Sequence, residues 1–340
     1  MLAQTFTDWE LIVGDDASTD NTADVVREFS DPRIRYHRHA SNVGIYGNWN
    51  KLVSMASGDY VSIYHDHDTY LPTIVEKSCE FLDQHSHVSF VHTACLLIDR
   101  KGLPVDVFVR DFDELMPGRK FQEAMVATLG GPVTAASAMV RREAYEAAGP
   151  YDQKYGNGAD KEMWLRLADL GDVGYIRDPQ AFFLARGKGD ATDRFVWRDV
   201  AGLKRISEEW INKLFPDVGA EHRHAMIGLD REWDRCMVRL ALKAFALEDT
   251  RTAIERSQLL RQHSSPATNA MIWMVARIWP VRALVRRAAL QMHLNSLYKR
   301  RLAAEEYCRN NSQLSRHLPK SNDANDLTCT SCGGHGQDGQ

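Results

Sequence analysis

Up to about residue 195, short apolar runs alternate with helical stretches, and this alternation limits the possible folds more than any other feature of the sequence. The runs Trp9–Gly14, Tyr60–Tyr64 and Val88–Ile98 have the length and composition of strands. Between them, segments such as Pro72–Gln84 carry apolar residues at helical spacing. Strands that alternate with helices in this way are typical of an α/β unit with a largely parallel sheet. The sequence therefore predicts that class for residues 1–195.

The rest of the chain has a different pattern. Long stretches beyond Phe195 repeat apolar residues at helical spacing, and they predict several amphipathic helices. Towards the C-terminus the chain becomes rich in Ser, Asn, Asp, Gly and Gln with few apolar residues, which is typical of a disordered tail. We therefore expect three parts: an α/β domain over 1–195, a helical region over 196–305 and a disordered tail over 306–340.

Charge and composition exclude several classes of protein. The 340 residues include 42 Lys and Arg against 46 Asp and Glu, a net charge of −4, so we expect no nucleic-acid partner. Residues 1–195 carry −10 and residues 196–340 carry +6, which suggests different partners for the two parts. Six scattered cysteines fit a reducing compartment. No signal peptide is recognisable, and no apolar run reaches the ~18 residues of a membrane span, so the sequence predicts a cytoplasmic protein.

Three acidic segments follow strands or begin a helix in the α/β part. They are Asp15–Asp20 after the first strand, Asp66-His67-Asp68 after Tyr60–Tyr64, and Asp160 at the start of a helical run. Taken singly, each has a simpler interpretation as a turn, a solvated loop or a helix cap. In an open α/β sheet, however, ligands collect beyond the carboxyl ends of the strands, and two carboxylates one residue apart can share a hard cation. Together the three segments predict a binding site.

In this order, five motifs resemble those of the family-2 glycosyltransferases, which have the GT-A fold, a Rossmann-like and mostly parallel α/β architecture. Residues 4–13 are similar to the end of the family's first helix and its second strand. Asp15–Asp20 stands where the family has D-D-G-S-x-D. The stretches Asn42-Val43-Gly44 and Ala56–Tyr60 are similar to its N-x-G and A-x-G-x-Y. Asp66-His67-Asp68 stands at its metal-binding D-x-D, and the run from Asp160 resembles the helix that supplies the catalytic base.

The resemblance implies an enzyme that moves a sugar from a nucleoside diphosphate donor to an acceptor hydroxyl with inversion. Asp160 would be the catalytic base, with Glu162 on the same helix as a weaker candidate. A divalent cation, Mg²⁺ or Mn²⁺, would be held by Asp66 and Asp68. The donor would be bound by Asp15, Asp16, Asn42, Asp66 and Arg186. The family also implies a saccharide or lipid-linked acceptor and a role in surface polysaccharide or glycolipid synthesis.

Two departures from the family pattern stand out. The chain opens within the family's first helix, so we expect the first, central strand to be missing and its neighbours to have unpaired edges. Lys188 stands where relatives often have a histidine, and lysine is a poor metal ligand. One alternative is therefore an inactive transferase-like binding or scaffold protein that lost its first strand.

Two other enzyme classes fit the sequence less well. A nucleotidyltransferase would need a glycine-rich basic loop near its N-terminus, and none is present. His65 and His67 suggest the H-x-H-x-D pattern of a metallohydrolase, but that pattern requires an aspartate at position 69, which is Thr69.

Two C-terminal features have both a functional and a simpler interpretation. The stretch 271–301 carries seven Lys and Arg and no acid, interleaved with apolar residues that include Trp273 and Trp279. It is typical of peripheral docking on an anionic bilayer, here the inner face of the membrane, or of a packing helix with a solvated basic face. Cys329 and Cys332 with His335 resemble half of a zinc site or are incidental thiols.

Overall fold

The structure is a computed structural model that describes residues 1–129, 133–185, 191–247, 265–277 and 279–318. Strands and helices alternate in its first part: β1 (Leu11–Asp15), α1 (Thr22–Arg27), β2 (Ile34–Arg38), α2 (Ile45–Met55), β3 (Tyr60–Ser62), β4 (Thr69–Tyr70), α3 (Ile74–Gln84), β5 (Val88–Ile98), β6 (Pro104–Phe108), β7 (Leu115–Met116), α4 (Gly118–Val126), β8 (Ala138–Arg141), α5 (Arg142–Ala148), α6 (Ala159–Leu170) and β9 (Asp172–Leu184). Helices follow: α7 (Ala191–Leu214), α8 (Ala220–Leu247), α9 (Pro266–Arg277), α10 (Trp279–Asn310) and α11 (Ser312–His317). Two 3₁₀ helices, Ala135–Ser137 and Gln153–Gly158, precede β8 and α6.

The predicted α/β class is confirmed, with the strands divided between two sheets. The larger sheet has the order β3-β8-β5-β9-β4, with β6 beside β5 and β7 beside β9. Within it only β5 and β9 pair in parallel, and the other pairs are antiparallel. The pairing is thus mixed where a mostly parallel sheet was expected, because a helix between two strands makes a parallel crossover possible without requiring one.

The central strand of the larger sheet is β5, which is buried along almost its whole length. Its residues alternate between two faces, as the strand period requires. On one face Phe90 packs against Trp164 of α6, with ring centroids 5.2 Å apart. On the other, Val91 and Cys95 pack against Ile74 and other residues of α3. Helices therefore cover both faces, and the sheet and α6 hold the site residues on a rigid base.

The smaller sheet contains only β1 and β2, which pair in parallel with Leu11 opposite Ile34. The adjoining α1 buries none of its residues, and Phe29 at its end is 51% exposed. Among the described residues, β1 has β2 as its only strand partner and β3 has β8. Each strand therefore has one edge whose backbone N–H and C=O groups lack a strand partner.

The helical C-terminal region packs on the α/β part and shares its core. Ile206, Trp210 and Ile211 of α7 belong to the same buried cluster as Phe90. Farther along the chain, α10 lies against β6, where Arg300 Nη1 is 3.1 Å from Asp106 Oδ2. The described part of the chain contains no helix that is both long and apolar enough to cross a membrane.

The segment boundaries differ from those predicted. Residue 195 falls inside α7 and residue 306 inside α10, because the amphipathic periodicity continues across both positions. Residues 306–310 and 312–317 are helical where a disordered tail was expected, and Cys308 and Leu314 are buried against the sheet. Residues 248–264, within the predicted helical region, and the Cys329/Cys332 pair lie outside the described residues.

Candidate active site

Asp160 begins α6, in the first turn of the helix and in a partly buried position. Burial of its carboxyl group raises the pKa to about 6, although the backbone N–H of Lys161, which donates to Oδ1 at 2.7 Å, and the charge of the Lys161 side chain act in the opposite direction. A carboxyl group with a pKa close to the working pH is well matched to accepting a proton. The position predicted for a catalytic base therefore has the electrostatics that a base needs.

A cluster of two imidazoles and one carboxylate follows β3. His65, His67 and Asp68 each offer a ligand atom, and these atoms all lie within 4.8 Å of one another. Asp68 Oδ2 is 3.3 Å from His65 Nδ1 and 3.8 Å from His67 Nε2. The other oxygen, Oδ1, accepts the backbone N–H of Leu184 at 3.3 Å, so the end of β9 fixes the carboxylate. We name these three residues the His–His–Asp cluster.

Asp66 lies apart from this cluster. Its side chain is 83% exposed, whereas that of Asp68 is 5% exposed. Its Oδ1 atom is 2.9 Å from His67 Nδ1, and this hydrogen bond, opposed by burial, lowers the pKa of Asp66. The structure therefore does not place Asp66 and Asp68 together around one position, as the predicted D-x-D site requires. Neither His65 nor His67 belongs to the site predicted from the sequence.

Aromatic residues surround the imidazoles and connect the cluster to neighbouring elements. The ring of His65 stacks on Trp49 of α2 with centroids 5.8 Å apart, and on His67 at 5.3 Å. The backbone N–H of His65 donates to the hydroxyl of Tyr70 at 2.9 Å. His65 Nε2 is buried and has no hydrogen-bond partner among the residues that the structure describes. The rings are thus held in fixed orientations, and one of their nitrogen atoms is unsatisfied.

Glu162, the second candidate base, is already paired. Its side chain is 8% exposed, and both carboxylate oxygens accept from Arg166 Nε at 2.9–3.0 Å. The same guanidinium donates to the carbonyls of Ala148, Gly149 and Pro150, so it ties α6 to the end of α5. This ion pair points to a structural role for Glu162.

The first acidic segment begins at the carboxyl end of β1, where Asp15 is almost fully buried. Its carboxylate accepts the hydroxyl of Tyr36 and the backbone N–H of Ser18, the latter at 2.7 Å, and lies 3.5 Å from Arg38 Nε. Burial alone would raise the pKa of Asp15, but the Tyr36 and Ser18 hydrogen bonds and the Arg38 charge outweigh it and lower the pKa. The acidic group is therefore already satisfied within the protein.

Asp16 and Asn42 are brought together by the same turn. The two carboxylate oxygens of Asp16 accept the backbone N–H groups of Val43 and Gly44 at 2.6 and 2.9 Å. The amide of Asn42 donates to the Asp16 carbonyl at 3.4 Å. The two predicted nucleotide-binding motifs thus form one exposed edge beside β1. The remaining predicted ligand, Arg186, lies outside the described residues, as does Lys188.

The sequence is similar to those of known glycosyltransferases. The model of Glycosyl transferase family 2 matches residues 1–149. "Putative glycosyltransferase EpsE" of Bacillus subtilis (strain 168) is 29% identical over 199 residues, 57% of this chain and 68% of the relative. "Putative teichuronic acid biosynthesis glycosyltransferase TuaG" of the same organism is 30% identical over 221 residues, 62% of this chain and 84% of the relative.

A solved structure gives the fold. TarS 1-349 of S. aureus, crystallised in complex with UDP-GlcNAc, has a TM-score of 0.55 and 16% identity, covering 91% of this chain and 85% of that one. At this identity the likeness concerns the fold alone. Taken with the extent of the match to TuaG, it makes this chain a member of glycosyltransferase family 2 with a GT-A fold.

Proposed function

We propose that this glycosyltransferase moves a sugar from a nucleoside diphosphate donor to an acceptor hydroxyl in one step, with inversion at the anomeric carbon. The observation that carries the proposal is the position of Asp160, a partly buried carboxylate with a raised pKa, near enough to His65 for the two groups to interact electrostatically. This proximity supports the assignment of a proton acceptor beside a cluster suited to a cation. Those are the two groups that a direct displacement requires.

Asp160 is the proton acceptor in this step. As the acceptor hydroxyl attacks the anomeric carbon, its proton passes to the Asp160 carboxylate, and the bond between sugar and diphosphate breaks. Burial raises the pKa of Glu162 as well, but its carboxylate is held by the Arg166 guanidinium, so Asp160 is the better candidate. A single base with no covalent intermediate inverts the anomeric configuration.

A divalent cation fits the residues present. Oxygen of Asp68 and the imidazole nitrogens lie within reach of one position, and the buried Nε2 of His65 lacks a partner. When bound, the cation would neutralise the charge that develops on the departing diphosphate. Asp68, fixed by Leu184, is the carboxylate best placed to hold it. Asp66, which is exposed, is available to the ribose of the donor.

For the nucleotide, we assign binding to the edge formed by Asp16 and Asn42. Asn42 is exposed and Asp16 is partly exposed, and the two are linked through the Asp16 carbonyl, so the hydrogen-bonding capacity that they retain is open to a base or ribose. Asp15, whose carboxylate is satisfied by Tyr36 and Ser18, supports the turn that presents this edge. Arg186 remains the proposed partner of the diphosphate.

The acceptor is assigned from the relatives and from the surface of the helical region. The name of TuaG refers to teichuronic acid biosynthesis, so we infer a saccharide or lipid-linked acceptor of a surface polysaccharide or glycolipid. Apolar side chains on α9 and α10 are exposed in the stretch that lacks acids, among them Leu284 at 70% and Met292 at 55%. These support docking on the cytoplasmic face of an anionic membrane.

Membrane docking is tested by sedimentation with vesicles. The full-length protein should sediment with phosphatidylglycerol vesicles and remain in solution with phosphatidylcholine vesicles. Replacing Leu284 and Met292 together by glutamate should lower the bound fraction several-fold, since it removes apolar contact and adds negative charge. Equal sedimentation of the variant would contradict the assignment of this surface.

The transfer itself is tested in two steps. A panel of nucleotide sugars is screened for a rise in melting temperature, because a ligand that binds only the folded state stabilises it. The donor found is then incubated with saccharide acceptors, and the anomeric configuration of the product is read by NMR. An inverted linkage supports the proposal. A donor that binds but is never consumed favours the alternative of a transferase-like binding protein.

A further inference from the structure

We infer that the ligands of the cation are His65, His67 and Asp68, and that this set makes the site selective for a transition-metal ion over Mg²⁺. The inference deepens the proposed function, on which it rests for the role of the ion in transfer. It differs from the oxygen-only pair Asp66 and Asp68 predicted from the sequence.

The geometry separates the two possibilities. The three members of the His–His–Asp cluster have side chains that are 24%, 23% and 5% exposed, so the site is shielded yet reachable. Their ligand atoms lie within 4.8 Å of one another, close enough to converge on one ion after small rotations. Asp66 is 83% exposed and belongs to no such group among the described residues. A cation bound here would therefore meet two imidazoles and one carboxylate.

Asp66 has a different part in this arrangement. Its Oδ1 atom lies 2.9 Å from His67 Nδ1, while His67 Nε2 points towards Asp68. A carboxylate that accepts the far N–H of an imidazole fixes the tautomer and orientation of the ring for metal binding. Asp66 is thus a positioning residue, and Leu184 does the same for Asp68 through its backbone N–H. Stacking on Trp49 holds the remaining ring, that of His65.

The ligand types then determine which ion is preferred. Mg²⁺ is bound almost entirely by oxygen and keeps much of its hydration shell. Imidazole nitrogen suits zinc, cobalt, nickel and other transition-metal ions, whose affinities rise along the series from Mn²⁺. A site with two nitrogen ligands should therefore bind Co²⁺ and Zn²⁺ most tightly, Mn²⁺ less tightly and Mg²⁺ weakly. An oxygen-only site at Asp66 and Asp68 would have little reason to discriminate against Mg²⁺.

The test measures binding directly, on full-length protein stripped with a chelator. Calorimetric titration with Co²⁺, Mn²⁺ and Mg²⁺ should give affinities that fall in that order, with Mg²⁺ at least about tenfold weaker than Mn²⁺. Pulsed electron paramagnetic resonance of the Mn²⁺-loaded wild type should show coupling to imidazole nitrogens. This second measurement needs no variant, so it is informative even where a substitution harms folding.

Variants then assign the ligands. His67→Ala and Asp68→Ala should each weaken Mn²⁺ binding by about tenfold or more, whereas Asp66→Asn, which keeps an acceptor for His67, should change it by only a few-fold. His224→Ala, an exposed histidine on α8, is the matched control and should have no effect. The inference is overturned if Mg²⁺ binds as tightly as Mn²⁺, if no nitrogen coupling is seen, or if Asp66→Asn abolishes binding and His67→Ala does not. If the metal binds as expected but Asp160→Asn leaves turnover unchanged, the metal site stands and the proposed transfer mechanism is wrong.

Discussion

Two acidic segments, one after β1 and one after β3, have similar sequences but opposite environments. After β1, the carboxylates of Asp15 and Asp16 are taken up by the protein's own groups, namely Tyr36, Ser18 and the backbone N–H groups of residues 43 and 44. After β3, Asp68 faces two imidazoles, and His65 Nε2 has no hydrogen-bond partner. The first segment is satisfied without a ligand, and the second retains groups that a ligand would satisfy.

The difference shows what acids at strand ends can and cannot indicate. A carboxylate that accepts hydrogen bonds from the protein's own groups stabilises a turn. Those hydrogen bonds lower its pKa, as they do for Asp15. A carboxylate among imidazoles is chemically suited to share a cation with them. We therefore expect substitutions of Asp15 to act mainly on stability, and substitutions of Asp68 mainly on turnover.

Between the two segments, the largest expected difference is in turnover. Asp68→Ala should lower the rate of sugar transfer by about a hundredfold or more, because a bound cation contributes several kcal/mol of charge stabilisation. Asp20→Ala, in the first segment and exposed, is the matched control and should stay within about twofold, as expected for a surface substitution. Release of nucleoside diphosphate measures both. Similar losses in the two variants would remove the proposed difference between the segments.

The next effect is on stability. Asp15→Ala should lower the free energy of unfolding by about 2 kcal/mol, because it leaves the Tyr36 hydroxyl and the Ser18 N–H without their buried acceptor. Asp66→Ala should change it by less than about 0.5 kcal/mol, since its side chain is 83% exposed. Urea denaturation measures both values. Equal changes would mean that burial does not separate these two aspartates.

The raised pKa of Asp160 should also be measurable in the pH dependence of protein stability. Its pKa in the folded state, about 6, lies above the ordinary value of 3.8, so its contribution to stability is greatest below pH 3.8 and is lost as the pH rises through 6. Asp160→Asn removes this titration. The melting temperature of the variant relative to the wild type should therefore rise between pH 4 and pH 7. A difference that is constant over this range would show that the pKa is not raised.

In the first segment, the pKa shift of Asp15 has the opposite sign and predicts the opposite pH dependence of stability. Its pKa is lowered in the folded state, so its contribution to stability is present above the ordinary pKa and is lost as the pH falls below it. The melting temperature of Asp15→Ala should accordingly approach that of the wild type in acid. If the deficit of the variant grew in acid, the interpretation of Asp15 as a satisfied anion would be wrong.

The smallest effect concerns the backbone of the first segment. Ala17 has φ +61°, in the left-handed region that disfavours a side chain, at the position where the family pattern has glycine. Ala17→Gly should raise the free energy of unfolding by about 0.5–1 kcal/mol, the order of the penalty for a Cβ in this conformation less the entropy of glycine. Thermal melting measures it. A loss of stability would show that the turn does not carry this strain.

Local pattern predicted the central elements well. Val88–Ile98 is β5 with the predicted bounds, because a long buried β-branched and apolar run has few alternatives. The helix expected at Pro72–Gln84 is α3, which begins at Ile74. The direction of strand pairing was not predictable, since it depends on how distant strands such as β8 return to the sheet. The separation of β1 and β2 from the larger sheet likewise depends on tertiary pairing.

The candidate site was predicted in part. Asp160 has a raised pKa and Asp68 lies beside two imidazoles, and their assignment as base and cation ligand stays a prediction. The sequence could not show that Asp66 points outwards, because neighbouring residues after a strand separate only once the local backbone is known. The spacing of His65 and His67 could have indicated a shared site, because residues two apart in extended backbone lie on the same side.

Turnover by Asp160→Asn tests the central claim most directly. Removing the base should lower the rate constant for sugar transfer by about 10²–10⁴-fold while donor-induced stabilisation persists. Glu162→Gln, which retains an acceptor for Arg166, is the comparison variant on the same helix and should stay within a few-fold of the wild type. Unchanged transfer by Asp160→Asn, with loss of transfer in Glu162→Gln, would contradict the assignment of Asp160 as the base.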